Sequence, residues 1–241
     1  GRTPEIDSTG YMHEAHALGA FDGTSPLQLA AAFQAFSNGG YYYEPYTVNK
    51  IVLRNSDEVI DENETAPEKV KAMSDSTAYM IADVLKQTAK NIGVYGVVSD
   101  QISLKTGTTN YDDETRALYG YPSGTGPDGL VAGFTPTISL SLWTGYTENK
   151  KGQFLYEGTM YAHKNALYKA CAKAIFDNNG AKFKKPSSVV AVKLERGTEM
   201  LASKNTPSNM IITELFKRGT EPTEKSSRYN TLDAPTGFTA T

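Results

Sequence analysis

The sequence predicts a mixed α and β (α+β) fold: an antiparallel sheet flanked by helices, with a small β-rich appendage on its C-terminal side. Three observations carry this. Residues 130–134 and 138–145 are strand-like runs joined by the short turn Thr135-Pro136, which implies an antiparallel pair. Helical apolar spacing recurs near 25–38, 74–90 and 159–177, enough helix to cover a sheet face. Composition then shifts at Lys184-Lys185-Pro186, and two further strand-like runs follow. A chain of 241 residues, 39% of them hydrophobic, can bury a core as one large domain or as a domain with an appendage. The predicted division is 1–182, 183–222 and 223–241, the last a polar, Pro-containing linker.

Taken in order, residues 1–24 are rich in Gly, Pro, Ser and Thr and read as loop. Ser25-Pro26 opens a helix, with Ser25 as its cap and Pro26 at the first helical position. Leu29, Phe33 and Phe36 form its buried stripe, and Gly39-Gly40 ends it. Tyr41 to Leu53 reads as a strand interrupted at Pro45, and Glu58-Val59-Ile60 returns as the partner of a hairpin across Asn55-Ser56-Asp57. Residues 61–72 are charged and predicted to be a solvated surface segment. The next helix, Ser74 to Lys90, is expected to turn Ile81, Val84, Leu85 and Thr88 inward.

The apolar run Val97 to Ser103 is predicted to be a strand leading into Leu104-Lys105-Thr106-Gly107-Thr108-Thr109-Asn110. Residues 110–129 read as a polar loop. Leu130 to Phe134, and then Ile138, Leu140 and Leu142 alternating with Ser139, Ser141 and Trp143, are the paired strands. The last long helix, about Thr159 to Asp177, is expected to bury Leu167, Ala170, Cys171, Ala174 and Ile175 and to close at Gly180. Val189 to Leu194 and Met210 to Phe216 are the appendage strands, and Leu232 to Thr241 resembles the opening strand of a fibronectin-type-III-like domain.

The segment with most chemistry is Lys105-Thr106-Gly107-Thr108. An ammonium supplies a point charge, and the hydroxyls of Thr106 and Thr108 supply donors of adjustable direction. Gly107 lets another backbone lie close beside the strand. A peptide ending in a carboxylate could dock there as an added strand. The N–H of Thr108 could then face a carbonyl oxygen that turns negative during acyl transfer.

Other classes are disfavoured. A net charge of −3 argues against charge-driven binding to nucleic acid or an anionic membrane. No run of 18 apolar residues is present to span a membrane, and no signal peptide opens the chain. The single cysteine, Cys171, cannot form an internal disulfide and is expected in the core. His13-Glu14-Ala15-His16 lacks the two-residue gap that puts both imidazoles of a zinc helix on one face, so no metal is expected. Gly124-Thr125-Gly126-Pro127-Asp128-Gly129 fits G-x-G-x-x-G but is followed by a strand-like run rather than a helix, so it is rejected as a dinucleotide site.

Several stretches together resemble the C-terminal half of the transpeptidase domain of class A penicillin-binding proteins. Ser25-Pro26-Leu27-Gln28 through Phe33, with Asn38-Gly39-Gly40, is similar to that family's S-P-L-Q…N-G-G segment. Lys105-Thr106-Gly107 is similar to its third catalytic motif. Asp128 through Gly133-Phe134-Thr135-Pro136 and Trp143-Thr144-Gly145-Tyr146 resemble its D-x-W-F-x-G-Y-T-P…W-x-G-Y strands, with Leu130 in place of the usual Trp. Lys185-Pro186-Ser187 and Gly219-Thr220-Glu221-Pro222 resemble the tail that follows.

The resemblance implies a penicillin-binding fold and serine acyl transfer on D-Ala-D-Ala stem peptides of peptidoglycan, with β-lactam antibiotics as mimics. It implies no cofactor and a site on the extracytoplasmic face of a bacterial membrane. By position, Lys105 would supply charge, Thr106 and Thr108 would bind a carboxylate, and the Thr108 N–H would be one oxyanion donor. Gly107 would lie against the substrate, and Thr109 and Asn110 would shape the cleft. No S-x-x-K occurs, and Ser203-Lys204-Asn205, the sole S-x-N, lies after Lys-Thr-Gly and is a decoy. The nucleophile and its lysine are therefore expected upstream of Gly1, in an N-terminal half that would pack on an exposed edge and apolar face of this chain. A β-lactamase-like hydrolase and a non-catalytic extracellular module are the alternatives.

Overall fold

The computed structural model describes residues 14–18, 24–54, 59–60 and 66–229. At its centre is a three-stranded antiparallel sheet in the order β5-β7-β8. These strands are β5 (Ser103–Thr108), β7 (Asp128–Phe134) and β8 (Ser139–Gly145). Four α-helices are described: α1 (Pro26–Ser37), α2 (Asp75–Asn91), α3 (Asp113–Tyr119) and α4 (Glu157–Ile175). Among the described residues no helix is long and apolar enough to cross a membrane.

The sheet is covered on both sides. Register pairs Leu104 with Gly133 and Thr106 with Val131, so side chains at 104, 106 and 108 share one face. Tyr168 of α4 packs there, in a core cluster with Leu104, Val131, Ala172 and Phe176. The opposite face carries Phe134, whose ring lies 6.3 Å from Phe33 and 5.9 Å from Phe36 of α1. On that side Ser103 Oγ also donates to the Ala82 carbonyl of α2 at 2.6 Å.

Local chemistry sets the helix ends. Ser25 and Gln28 form a reciprocal capping box on α1: Gln28 N–H donates to Ser25 Oγ at 3.2 Å, and Ser25 N–H to Gln28 Oε1 at 3.1 Å. Ser74 caps α2 by accepting from Thr77 N–H at 3.1 Å.

Several expectations are corrected. Leu29, Phe33 and Phe36 are half-buried, and Ala31 and Ala35 are the residues of α1 in full contact. The strand expected from Tyr41 to Leu53 is two short pieces, β1 (Tyr41–Tyr42) and β2 (Ile51–Val52). β2 pairs with β3 (Val59–Ile60) as expected, its turn lying outside the described residues. β1 instead pairs with β4 (Val70–Lys71), whose residues are exposed as expected of that surface segment.

The inward face of α2 is made of Ser76, Ala78, Ala82 and Ala89, while Ile81 and Val84 are exposed. Small residues let the helix lie close on β5, and that neighbouring row wins the contact. On α4 the buried row is Met160, Lys164, Tyr168 and Ala172, with Asn165 beside it. Leu167 and Ile175 are exposed and Cys171 is half-buried. Helix α4 ends at Ile175 with an extended Phe176, so Gly180 belongs to a later turn.

The strand expected from Val97 starts only at Ser103. Buried Asp100 breaks the run, its Oδ1 accepting from Asn179 N–H at 2.9 Å and Ala181 N–H at 2.8 Å. The loop expected over 110–129 contains α3 and β6 (Thr125–Gly126), which pairs with β9 (Leu155–Tyr156). Asp112 caps α3 and left-handed Gly120 ends it. The Gly124–Gly129 pattern lies on β6 and the start of β7 with no helix after it, in agreement with its rejection.

Beyond α4, β10 (Val189–Glu195) and β11 (Ile211–Lys217) form an antiparallel ribbon over seven residue pairs. Phe183 stacks edge-on against Phe134 with centroids 5.5 Å apart, and Ser188 Oγ donates to Asp75 Oδ1 at 2.8 Å, tying this end to the helices.

Candidate active site

Strand β5 is an edge strand: β7 lies on one side and no strand of the described residues on the other. Thr109 N–H donates to Asp128 O at 3.4 Å, so residues 109, 107 and 105 turn their main-chain groups toward β7. Residues 106 and 108 therefore turn theirs to the open edge. The Thr108 N–H is among these outward groups.

The sequence-predicted residues are all on or next to this edge. Lys105 is exposed, and its Nζ donates to the outward Thr106 carbonyl at 2.7 Å. Thr106 and Gly107 are half-buried, and Thr108, Thr109 and Asn110 are exposed. A Cβ on Gly107 would stand 3.4 Å from Leu130 Cβ, an ordinary contact, so the sheet itself does not demand a glycine there. Ser203, of the decoy motif, lies in the ribbon segment, where its Oγ is 3.2 Å from Thr206 Oγ1.

Sequence reasoning missed Lys164. This α4 residue is 1% exposed, and its Nζ donates to the Gly107 carbonyl at 2.5 Å and to Thr108 Oγ1 at 3.0 Å. Burial, and then the charge of Lys105, lower its pKa below the ordinary lysine range, while Asp128 opposes them. Two lysines thus approach the 106–108 run from opposite faces of one strand, making it a positive, anion-seeking edge. The sequence signal was the i, i+4 row Met160-Lys164-Tyr168-Ala172, a lysine inside an otherwise apolar or aromatic stripe.

The far side of the site is held by other groups. Trp143 Nε1 donates to Asp128 Oδ2 at 2.9 Å, fixing the corner where β7 starts. After β5 the chain runs into an aromatic cluster, with Tyr111 and Tyr121 centroids 4.5 Å apart and Tyr121 and Phe154 5.7 Å apart. Burial and the neighbouring Tyr121 push the Tyr111 phenol up to about 12.

Residues 7–177 match the penicillin binding protein transpeptidase domain, and residues 185–231 match the C-terminal domain of penicillin-binding protein 1A. This chain belongs to the penicillin-binding protein transpeptidase family. Its kinship is with the class A proteins of the 1A type. It is 36% identical over 226 residues to penicillin-binding protein 1A/1B of Bacillus subtilis, covering 90% of this chain and 24% of that protein. It is 37% identical over 131 residues to penicillin-binding protein 1A of Streptococcus pneumoniae, covering 52% of this chain and 17% of that protein. The chain therefore spans about a quarter or less of these relatives.

Among solved structures, penicillin-binding protein 1A from Haemophilus influenzae superposes with a TM-score of 0.59 at 21% identity, over 90% of this chain and 35% of the other. A penicillin-binding protein from Mycobacterium tuberculosis gives 0.58 at 19%, over 75% of this chain and 45% of the other. At such identities the likeness speaks to the fold.

Proposed function

We propose that this chain is the substrate-strand half of a serine D,D-transpeptidase that cross-links peptidoglycan stem peptides and is acylated by β-lactams. The observation that carries the reading is the free edge of β5, with the Thr108 N–H turned outward between two lysines. A D-Ala-D-Ala terminus laid along that edge would extend the sheet by one strand. Its carboxylate would meet the hydroxyls of Thr106 and Thr108 and the charge of Lys105. Its scissile carbonyl would lie at the Thr108 N–H, with Gly107, Thr109 and Asn110 lining the groove. Removing one oxyanion donor costs on the order of 3–4 kcal/mol in other acyl-transfer enzymes.

The serine and the lysine that activates it come from a preceding segment in this reading, which packs on the same domain. The serine oxygen forms an ester with the penultimate D-alanine carbonyl. The C–N bond breaks, and the terminal D-alanine leaves with the proton on its nitrogen. The amine of a second stem peptide then takes the acyl group and frees the serine. The division into 1–182, 183–222 and 223–241, and a location outside the bacterial membrane with an upstream anchor, go with this reading.

Intact mass after incubation with benzylpenicillin tests it. This 241-residue chain is expected to gain no adduct. The same chain extended upstream is expected to gain one stable acyl group. An adduct on the shorter chain would mean the nucleophile has been misplaced. No adduct on either would leave a non-catalytic module, and an adduct lost within seconds would indicate a hydrolase.

A further inference from the structure

We infer that Lys164 is a positioning residue, which from α4 directs the Thr108 hydroxyl toward an anionic group on the substrate at the open edge of β5. The inference rests on the reading of β5 as the substrate strand and adds a residue outside the Lys-Thr-Gly motif. An ammonium only donates hydrogen bonds. At 3.0 Å from Thr108 Oγ1, Lys164 therefore makes that oxygen an acceptor on its inner side. The hydroxyl's own proton must then point elsewhere, and Thr108 is exposed to solvent beside the open edge. The hydroxyl becomes an outward donor suited to a carboxylate.

The second bond, to the Gly107 carbonyl at 2.5 Å, pins the ammonium so that it cannot swing away from Thr108. The route of the side chain is built into β7. Gly129 is the register partner of Thr108, and a Cβ on it would come within 2.9 Å of both Lys164 Cδ and Met160 Sδ. The missing side chain at 129 is the channel through which the lysine stem crosses to the strand. A buried lysine, a glycine that makes room for it and two acceptors at the end of β5 thus form one device. Its lowered pKa fits an ammonium held away from water beside a second cation.

The test uses the full-length protein carrying this chain, in five forms: unaltered, Thr108→Val, Lys164→Met, the double variant and Gly129→Ala. Acylation rates are measured with benzylpenicillin and with its methyl ester, which lacks the carboxylate. Loss of a hydrogen bond to a charged group predicts that Thr108→Val and Lys164→Met each slow benzylpenicillin by about 10- to 100-fold. The ester should slow by less than about threefold, since it offers no anion to that bond. The double variant should be no slower than Thr108→Val alone, because Lys164 acts through that hydroxyl. If Lys164→Met does not fold, Gly129→Ala, which displaces the lysine stem, should show the same selective loss.

Equal slowing of penicillin and ester, no slowing by Lys164→Met, or effects that multiply in the double variant would each overturn the role of Lys164. If Thr108→Val itself left penicillin acylation unchanged, the failure would lie with β5 as substrate strand, and this inference would fall with it.

Discussion

The central sheet and the β10–β11 ribbon are both antiparallel, and β7, β8, β10 and β11 are all seven residues long. The burial of β7 and β10 differs sharply, while β8, at the far edge of the central sheet, is half-buried throughout. From Gly129 to Phe134 only Leu130 of β7 keeps partial exposure, because α4 covers one face and α1 the other. In β10 only Val189, Leu194 and Glu195 are buried, and the middle of the strand alternates between half-buried and exposed. The difference shows that strand burial is decided by what is laid across the strand. It also shows how the packing is reached. Gly129 and Gly133 of β7 give up their side chains to let α4 press in, whereas neither ribbon strand contains a glycine.

The largest test of this contrast is Gly133→Ala. A Cβ there would lie 2.4 Å from Tyr168 Oη, 2.6 Å from Leu104 Cβ and 2.8 Å from the Ser103 carbonyl. Two of these belong to β5, so withdrawal of the helix alone cannot relieve the clash and the sheet must shift as well. A loss of about 3 kcal/mol in denaturant unfolding is expected. A tolerated alanine would break the claim that α4 is fitted to this strand.

The ribbon should respond to a different kind of change. Buried Glu195 accepts from Thr206 Oγ1 at 2.8 Å through Oε2, while its Oε1 has no partner among the described residues. Thr206→Val removes that donor and leaves the carboxylate bare, for an expected loss of about 2 kcal/mol. The same assay on the two variants separates a region limited by volume from one limited by polar satisfaction.

The smallest expected effect lies where the sheet meets the aromatic cluster. Tyr111 has its pKa raised from 10.0 to about 12, chiefly by burial and then by Tyr121. A phenol whose folded pKa is raised stabilises the fold fully below its unfolded value near 10. That contribution is lost as pH climbs through about 12. Ultraviolet titration should show two late-ionising tyrosines, Tyr111 and the more deeply buried Tyr168, and in Tyr121→Leu only the Tyr111 step should shift toward 10. No shift in that variant would place the cause outside the cluster.

Much of this architecture was legible in the sequence, and the failures share a cause. Ser25-Pro26 and Ser74 announced their helices because a cap is a local chemical event. The pair β7–β8 was legible because its connecting turn is short. Periodicity could not choose between adjacent rows on one helix. Ile81 and Val84 are larger than Ala78 and Ala82, yet the alanines face the sheet because they permit closer approach. The polar helix α3 has no buried residue and so no apolar rhythm to detect. At the candidate site, Lys105 to Asn110 could be singled out because the motif is contiguous. Lys164 was missed because its bond spans 56 residues of sequence and depends on a glycine in a third element.

The open edge of β5 also bears on how such a chain can change over generations. The groups turned outward at 106 and 108 include main-chain N–H and C=O, and no codon change can delete a carbonyl, nor an amide short of proline. Mutation can alter them only at second hand, by tilting the strand or refilling what lies behind it. Variation in ligand preference should therefore accumulate in the backing, at positions such as 129, 160 and 164, while the edge itself keeps its shape.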